Sequence, residues 1–257
     1  MLKKDVFLSH IVVKFRQDRP SYGYCLWYLC AFMTQEMNSF PRIIYVYDAL
    51  CGWCFGFKQN MLRLHEVYAS TYTLEVLSGN MVPIENKQHI GVMASYIVGA
   101  YKRVEEITGC KFGEGYLYHI FNPSESDLEL SSELPGLALT ALKQIKPERA
   151  FEFAGALQNK MMADGKDLSS DAVYMELAKE FDLDPLTFVE SIHTEDIRDL
   201  AHAEFAMVKQ LGITGFPCVL VQTDERKLYM VARGYTHYDD LKLRVDKVIE
   251  DYRIANN

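Results

Sequence analysis

Two cysteines three positions apart, Cys51 and Cys54 in Tyr47-Asp-Ala-Leu-Cys-Gly-Trp-Cys-Phe-Gly56, are the residues of this chain best placed to do chemistry. Such a pair can cycle between dithiol and disulfide, supply half of a metal site, or sit inertly as core thiols or a structural disulfide. At a helix start the spacing brings the two Cβ atoms within disulfide reach. The first cysteine then occupies the helix end, where unpaired backbone N–H groups and the dipole favour negative charge, and the thiolate is the nucleophilic form. The second lies one turn deeper, shielded and placed to attack a mixed disulfide. On this reading Cys51 attacks and Cys54 resolves.

A metal is disfavoured. Structural zinc needs a second ligand pair, and neither another Cys-x-x-Cys nor a His-x(3–5)-His is present in the sequence. His65, His89, His119, His193, His202 and His237 stand singly and read as surface or satisfied core residues. Cys25, Cys30, Cys110 and Cys218 fall at unrelated spacings, so the six cysteines do not form a disulfide scaffold. That scatter fits a reducing compartment, and the expected location is the cytoplasm.

The elements that must position the pair can be read from periodicity. Arg42-Ile-Ile-Tyr-Val-Tyr-Asp48 is β-branched and aromatic, as a strand buried on both faces should be. A helix follows from Phe55 to about Ser70, with Phe57, Met61, Leu64 and Val67 on one side. Tyr72 to Ser78 reads as the next strand, ended by Gly79, and completes a βαβ unit that places Cys-Gly-Trp-Cys at a strand-to-helix junction. From about Asn86 to Leu211 the pattern is helical. Ile90, Met93, Ile97, Tyr101 and Val104 recur at helical spacing. Later helices are expected around 136–146, 148–163, 170–181, 185–193 and 195–211, punctuated by Pro147, Asp164 to Asp167, and Asp182 to Pro185. Cys218 to Gln222 and Lys227 to Ala232 read as a hairpin. Thr236 with Asp239 suggests a capping box opening a last helix, whose inner face carries Leu241, Val245, Val248 and Tyr252.

A second motif sits at the return to strand: Ile213-Thr-Gly-Phe-Pro-Cys-Val-Leu220. Pro217 is either an ordinary strand-start proline or a cis-proline whose turn exposes the Phe216 backbone to an extended peptide. Together, Cys-Gly-Trp-Cys, this proline and the β-β-α tail make the chain similar to the thioredoxin superfamily, in its DsbA-like branch. Asp48-x-x-Cys-Gly-Trp-Cys-Phe55 resembles the motif of the subgroup that holds FrnE-type oxidoreductases, kappa-class glutathione transferases and 2-hydroxychromene-2-carboxylate isomerases. Asp164-Gly-Lys-Asp-Leu168 resembles a turn common in that subgroup's insertions.

The fold this implies is α/β, a thioredoxin fold (β-α-β … β-β-α) interrupted by a long all-helical insertion. Residues 38–85 and 212–257 would form the thioredoxin-like domain and 86–211 the insertion. The resemblance implies Cys51 as nucleophile, Cys54 as resolving thiol and Pro217 as cis-proline, with Trp53, Phe216 and Pro217 meeting substrate and Asp48 and Cys218 as auxiliary candidates. Gly52 departs from the subgroup's usual proline. Cys218 departs from the small or hydroxyl-bearing residue usual after the cis-proline; it reads either as a core thiol or as a third thiol near the pair. Tyr45 stands six positions before Cys51, where DsbA-like proteins often keep an acid.

The expected activity is thiol–disulfide exchange on disulfide-bearing proteins or small thiols. No tightly bound cofactor is expected, and glutathione is a candidate thiol partner. The alternatives are a glutathione-dependent transferase or isomerase acting on a small aromatic molecule, and a non-catalytic peptide-binding module. At 49% hydrophobic and 24% charged residues with net charge −8, the chain reads as soluble and globular, with nothing to attract nucleic acid or anionic membranes. Residues 1–37 read as an extension, either a leader or a misassigned start before Met37, whose removal should leave folding and redox activity unchanged. Its apolar run, Tyr24 to Met33, is too short to span a bilayer. If it acts as a signal, the destination becomes the periplasm or the exterior.

Overall fold

Residues 9–12 and 40–256 are described by the structure, a computed structural model. Ser9–Val12 (β1), Arg42–Tyr47 (β2), Leu74–Ser78 (β3), Cys218–Asp224 (β6) and Lys227–Arg233 (β7) form one sheet in the order β1-β7-β6-β2-β3. Strand β2 lies parallel to β3 and antiparallel to β6, so its backbone is hydrogen-bonded along both edges. Its side chains alternate between two cores. Ile43, Tyr45 and Tyr47 enter the larger one, and Ile44 and Val46 enter a smaller one on the opposite face with Leu77, Cys218 and Leu220. A run without polar interruption is what a strand covered on both faces requires.

Helix α1, Gly52–Tyr68, crosses over the larger core between β2 and β3. Its inner face is Cys54, Phe57, Met61, Leu64 and Tyr68, all buried at alternating spacings of three and four. Val67, assigned to that face by periodicity, is exposed instead, because Tyr68 closes the stripe. The C-terminal helix, Tyr238–Asn256, packs Leu241, Val245, Val248 and Ile249 on the same side of the sheet. The expected capping box at its start is not formed: the Thr236 hydroxyl donates to the Gly234 carbonyl at 3.4 Å.

Between β3 and β6 the described residues are mostly helical: α2 Gly91–Thr108, α3 Glu114–Phe121, α4 Glu133–Ile145, α5 Ala150–Met162, α6 Asp171–Glu180, α7 Pro185–Ile192 and α8 Glu195–Gln210. Three features were not foreseen: strand β1, which lies inside the stretch read as an extension and pairs antiparallel with β7, helix α3, and a two-residue ribbon pairing Gln88–His89 (β4) with Glu129–Leu130 (β5). The turn at Asp164 to Asp167 explains two glycines. Gly165 has φ +72, and a Cβ there would lie 2.4 Å from the Gly115 backbone, so only glycines let α3 meet the end of α5. The block is fastened to the sheet by a buried ion pair between Lys143 of α4 and Glu204 of α8. The other Glu204 oxygen accepts from the Ser78 N–H at 2.7 Å, at the end of β3.

Candidate active site

Cys51 is the N-cap of α1, with extended backbone angles (φ −85, ψ 112). Its carbonyl accepts the first helical hydrogen bond, from Phe55 N–H at 3.0 Å, and its sulfur accepts from the Cys54 N–H at 3.4 Å. A thiolate at this position would therefore keep a backbone donor and face the positive end of the helix. Cys51 retains 7% of its surface, whereas Cys54 retains none. Burial pushes the Cys54 thiol far up, and its contact with Cys51 adds to that; the Asp48 backbone N–H, directed at the same sulfur, opposes both. Both cysteines are free thiols in the structure. Cys51 thus keeps a small accessible surface, and Cys54 lies behind it with its thiol held protonated by burial.

The loop before β6 brings Phe216 to Cys51. The Phe216–Pro217 peptide is cis, and the Cys51 thiol donates to the Phe216 carbonyl at 3.6 Å. The Phe216 ring fills the space where Gly79 has no side chain; a Cβ on Gly79 would lie 2.1 Å from it. The Gly79 N–H is bonded to the Tyr47 carbonyl at 2.7 Å, so the close approach is fixed from both sides.

Asp48 organises the turn from β2 into α1. It is fully buried, and its carboxylate accepts from Leu50 N–H at 3.0 Å, Met81 N–H at 2.7 Å and Ser132 hydroxyl at 2.9 Å. Its backbone carbonyl accepts from Cys51 N–H at 3.1 Å and from the Gln158 amide at 3.2 Å. Burial pushes this carboxyl up and the three donors pull it down, with burial the larger effect. Asp48 thus ties the cysteine turn, the Gly79–Val82 loop and two insertion helices to one another.

A family model for the DSBA-like thioredoxin domain matches residues 42–245, which contain both motifs and the helical block between them. The chain belongs to this family. Its fold recurs in the cytosolic disulfide reductase DsbM from Pseudomonas aeruginosa, 21% identical with TM-score 0.67 over 81% of this chain and 98% of that one. A candidate protein disulfide isomerase from Nitrosomonas europaea is also 21% identical, with TM-score 0.70 over 82% and 98% of the two chains. A 2-hydroxychromene-2-carboxylate isomerase is 11% identical, with TM-score 0.56 over 84% and 97%. No curated protein matches the chain. At these identities the likeness is one of fold.

Within this DsbA-like domain the structure brings Cys51, Cys54, Phe216, Pro217 and Asp48 together, and leaves Trp53 half-buried against the larger core. Cys218 is separated from them. Its side chain enters the smaller core on the opposite sheet face, and burial pushes its thiol up to about 12. The core-thiol reading of Cys218 is the one this placement favours. Gly52 is not forced by packing, since a Cβ there would meet the Phe112 ring at 3.4 Å, an ordinary contact. Cys25 and Cys30 lie outside the described residues, and among those described no group of His, Cys, Asp and Glu could hold a metal. Sequence reasoning missed Ser132, Gln158, Phe112 and the part played by Gly79. Only Gly79 left a signal, as the residue ending a strand beside the cysteine turn.

Proposed function

We propose that the protein is a thiol–disulfide oxidoreductase in which Cys51 is the nucleophile and Cys54 the resolving thiol. The observation that carries this is a Cys-x-x-Cys pair at a helix mouth, with the Cys51 sulfur capped by a backbone N–H and lying against the Phe216 carbonyl. The Cys51 thiolate attacks one sulfur of a substrate disulfide R–S–S–R′; the Cys51–S–S–R bond forms and R′–S⁻ leaves, taking up a proton. Cys54 gives up its proton and attacks the Cys51 sulfur. The Cys51–Cys54 disulfide forms, and R–S⁻ departs and is protonated. The substrate has gained two electrons and the protein has lost two, and the same steps reversed would oxidise a substrate dithiol. A peptide, or the cysteinyl part of glutathione, would lie along the Phe216 backbone.

Glutathione is the favoured thiol partner; one structure of the similar reductase DsbM holds it. The free, partly buried thiol of Cys110 suits a reducing compartment, and we place the protein in the cytoplasm. Among the described residues no helix is long and apolar enough to cross a membrane. A glutathione-dependent isomerase or transferase is the second reading, favoured by the aromatic wall that Phe112 raises beside Gly52.

Trapping tests the assignment. In Cys54→Ala the attack survives but intramolecular release is lost, so a mixed disulfide at Cys51 should accumulate and be seen by intact mass. In Cys51→Ala nothing should be trapped, because Cys54 is buried. Protein adducts support exchange on protein disulfides, and a glutathione adduct alone supports glutathione-linked chemistry. Equal yields from the two variants would overturn the roles given to the two sulfurs.

A further inference from the structure

We propose that the Tyr45 hydroxyl is a hydrogen-bond donor reserved for the Cys54 thiolate, speeding the resolving step and not the attack. This rests on the oxidoreductase reading and deepens it. Tyr45 stands in the middle of β2, with Val76 and Val219 as its cross-strand neighbours. Its ring points toward α1, and its centroid lies 5.7 Å from that of Tyr47, 6.1 Å from Phe57 and 6.2 Å from Phe151. The residue is buried, and its hydroxyl makes no hydrogen bond of full geometry among the described residues; the polar side chain it approaches is that of Cys54. Phenylalanine would fill the same space without leaving a polar atom unsatisfied.

What the hydroxyl faces explains its presence. Cys54 lies one turn before Phe57 on the buried face of α1, and of the charges that act on the Tyr45 phenol that of Cys54 is the largest, ahead of Cys51 and Tyr47. In the resting dithiol Cys54 is a neutral thiol and offers only a weak acceptor. When it ionises, the phenol gains a charged partner inside a dry core, where such a hydrogen bond is strongest. Resolution passes through that state. The proton that leaves Cys54 ends on the departing R–S⁻, and Tyr45 keeps its own throughout. Tyr47 supplies the internal control: its hydroxyl is equally buried and unpartnered, but the charges that act on it first are Asp48 and Glu204.

The test separates the two half-reactions in the full-length protein. Reduced enzyme is mixed with oxidised glutathione and quenched with acid, and intact mass follows the Cys51–glutathione adduct as it forms and disappears. In Tyr45→Phe, formation should stay within about twofold of wild type, while disappearance should slow roughly ten- to a hundredfold, the range implied by losing a hydrogen bond to a charged group. The same variant should melt close to wild type, because at rest the hydroxyl it loses meets only the weak acceptor of the Cys54 thiol. Tyr47→Phe should change neither step. Unchanged disappearance in Tyr45→Phe, equal slowing of both steps, equal slowing in Tyr47→Phe, or a lowered melting temperature would each overturn the proposal. A wild-type protein that forms no adduct and no Cys51–Cys54 disulfide would instead sink the oxidoreductase reading beneath it, and the proposal with it.

Discussion

Alanine at position 51 should reduce thiol–disulfide exchange to the uncatalysed rate, a loss on the order of 10³-fold or more, as expected when a covalent nucleophile is deleted. No other described thiol can substitute. Cys54 has no accessible surface, and Cys218 lies across the sheet with its thiol held protonated by burial. Cys110 is half-buried, and burial likewise pushes its thiol up. The companion variant Cys218→Ala should exchange at the wild-type rate while losing some stability to the small cavity it leaves. Disulfide reduction assayed with both variants checks the pair of outcomes. Residual activity in Cys51→Ala, or a large loss in Cys218→Ala, would show that the nucleophile has been misassigned.

The second large effect is expected at a residue with no side chain. A methyl group on Gly79 would lie 2.1 Å from the Phe216 ring, well inside contact distance. Gly79 cannot retreat without breaking its 2.7 Å hydrogen bond to Tyr47, so the ring must move, and with it the carbonyl that meets Cys51. Overpacking of this kind costs about 1–3 kcal/mol. Gly79→Ala should therefore melt lower and exchange at least ~10-fold more slowly, since displacing a positioning group by an ångström can cost more than that. Its two active-site cysteines should still be reduced. Thermal unfolding and the exchange assay, run on one preparation, test this; wild-type values in both would show that Phe216 is not held by Gly79.

Much of this architecture can be read from the chain because its signals are local. β2 and the β6–β7 hairpin announce themselves through β-branched and aromatic runs, and α4 to α8 through the polar and proline breaks that separate them. Helix α3 was hidden by Gly113 and Gly115, which look like breakers. Both are there because the α5 end approaches: a Cβ on Gly113 would lie 1.7 Å from the Ala163 carbonyl oxygen. The ribbon β4–β5 is two residues on each side, too short for any alternation to show. At the site, Cys51, Cys54, Phe216 and Pro217 carry their chemistry in residue type and spacing. Ser132 hydrogen-bonds Asp48 from 84 positions away, and the unsatisfied hydroxyl of Tyr45 exists only once the core closes over it. The separation of Cys218 from the pair follows from strand alternation, which the hairpin pattern contained but which needed the pairing of β6 with β2 to assign a face.

The claim that Cys51 and Cys54 form one redox couple is tested most directly by poising the full-length protein in glutathione buffers of graded potential and quenching with a thiol-alkylating reagent. Intact mass then gives the fractions of dithiol, disulfide and mixed disulfide at each potential. Two alkylatable thiols, assigned by peptide mapping to Cys51 and Cys54, should be lost in a single two-electron transition of about 30 mV per decade. Its midpoint should fall between thioredoxin and DsbA, on the order of −270 to −120 mV. A pair that stays reduced across that whole range, or that yields a stable glutathione adduct and never the Cys51–Cys54 disulfide, would contradict it.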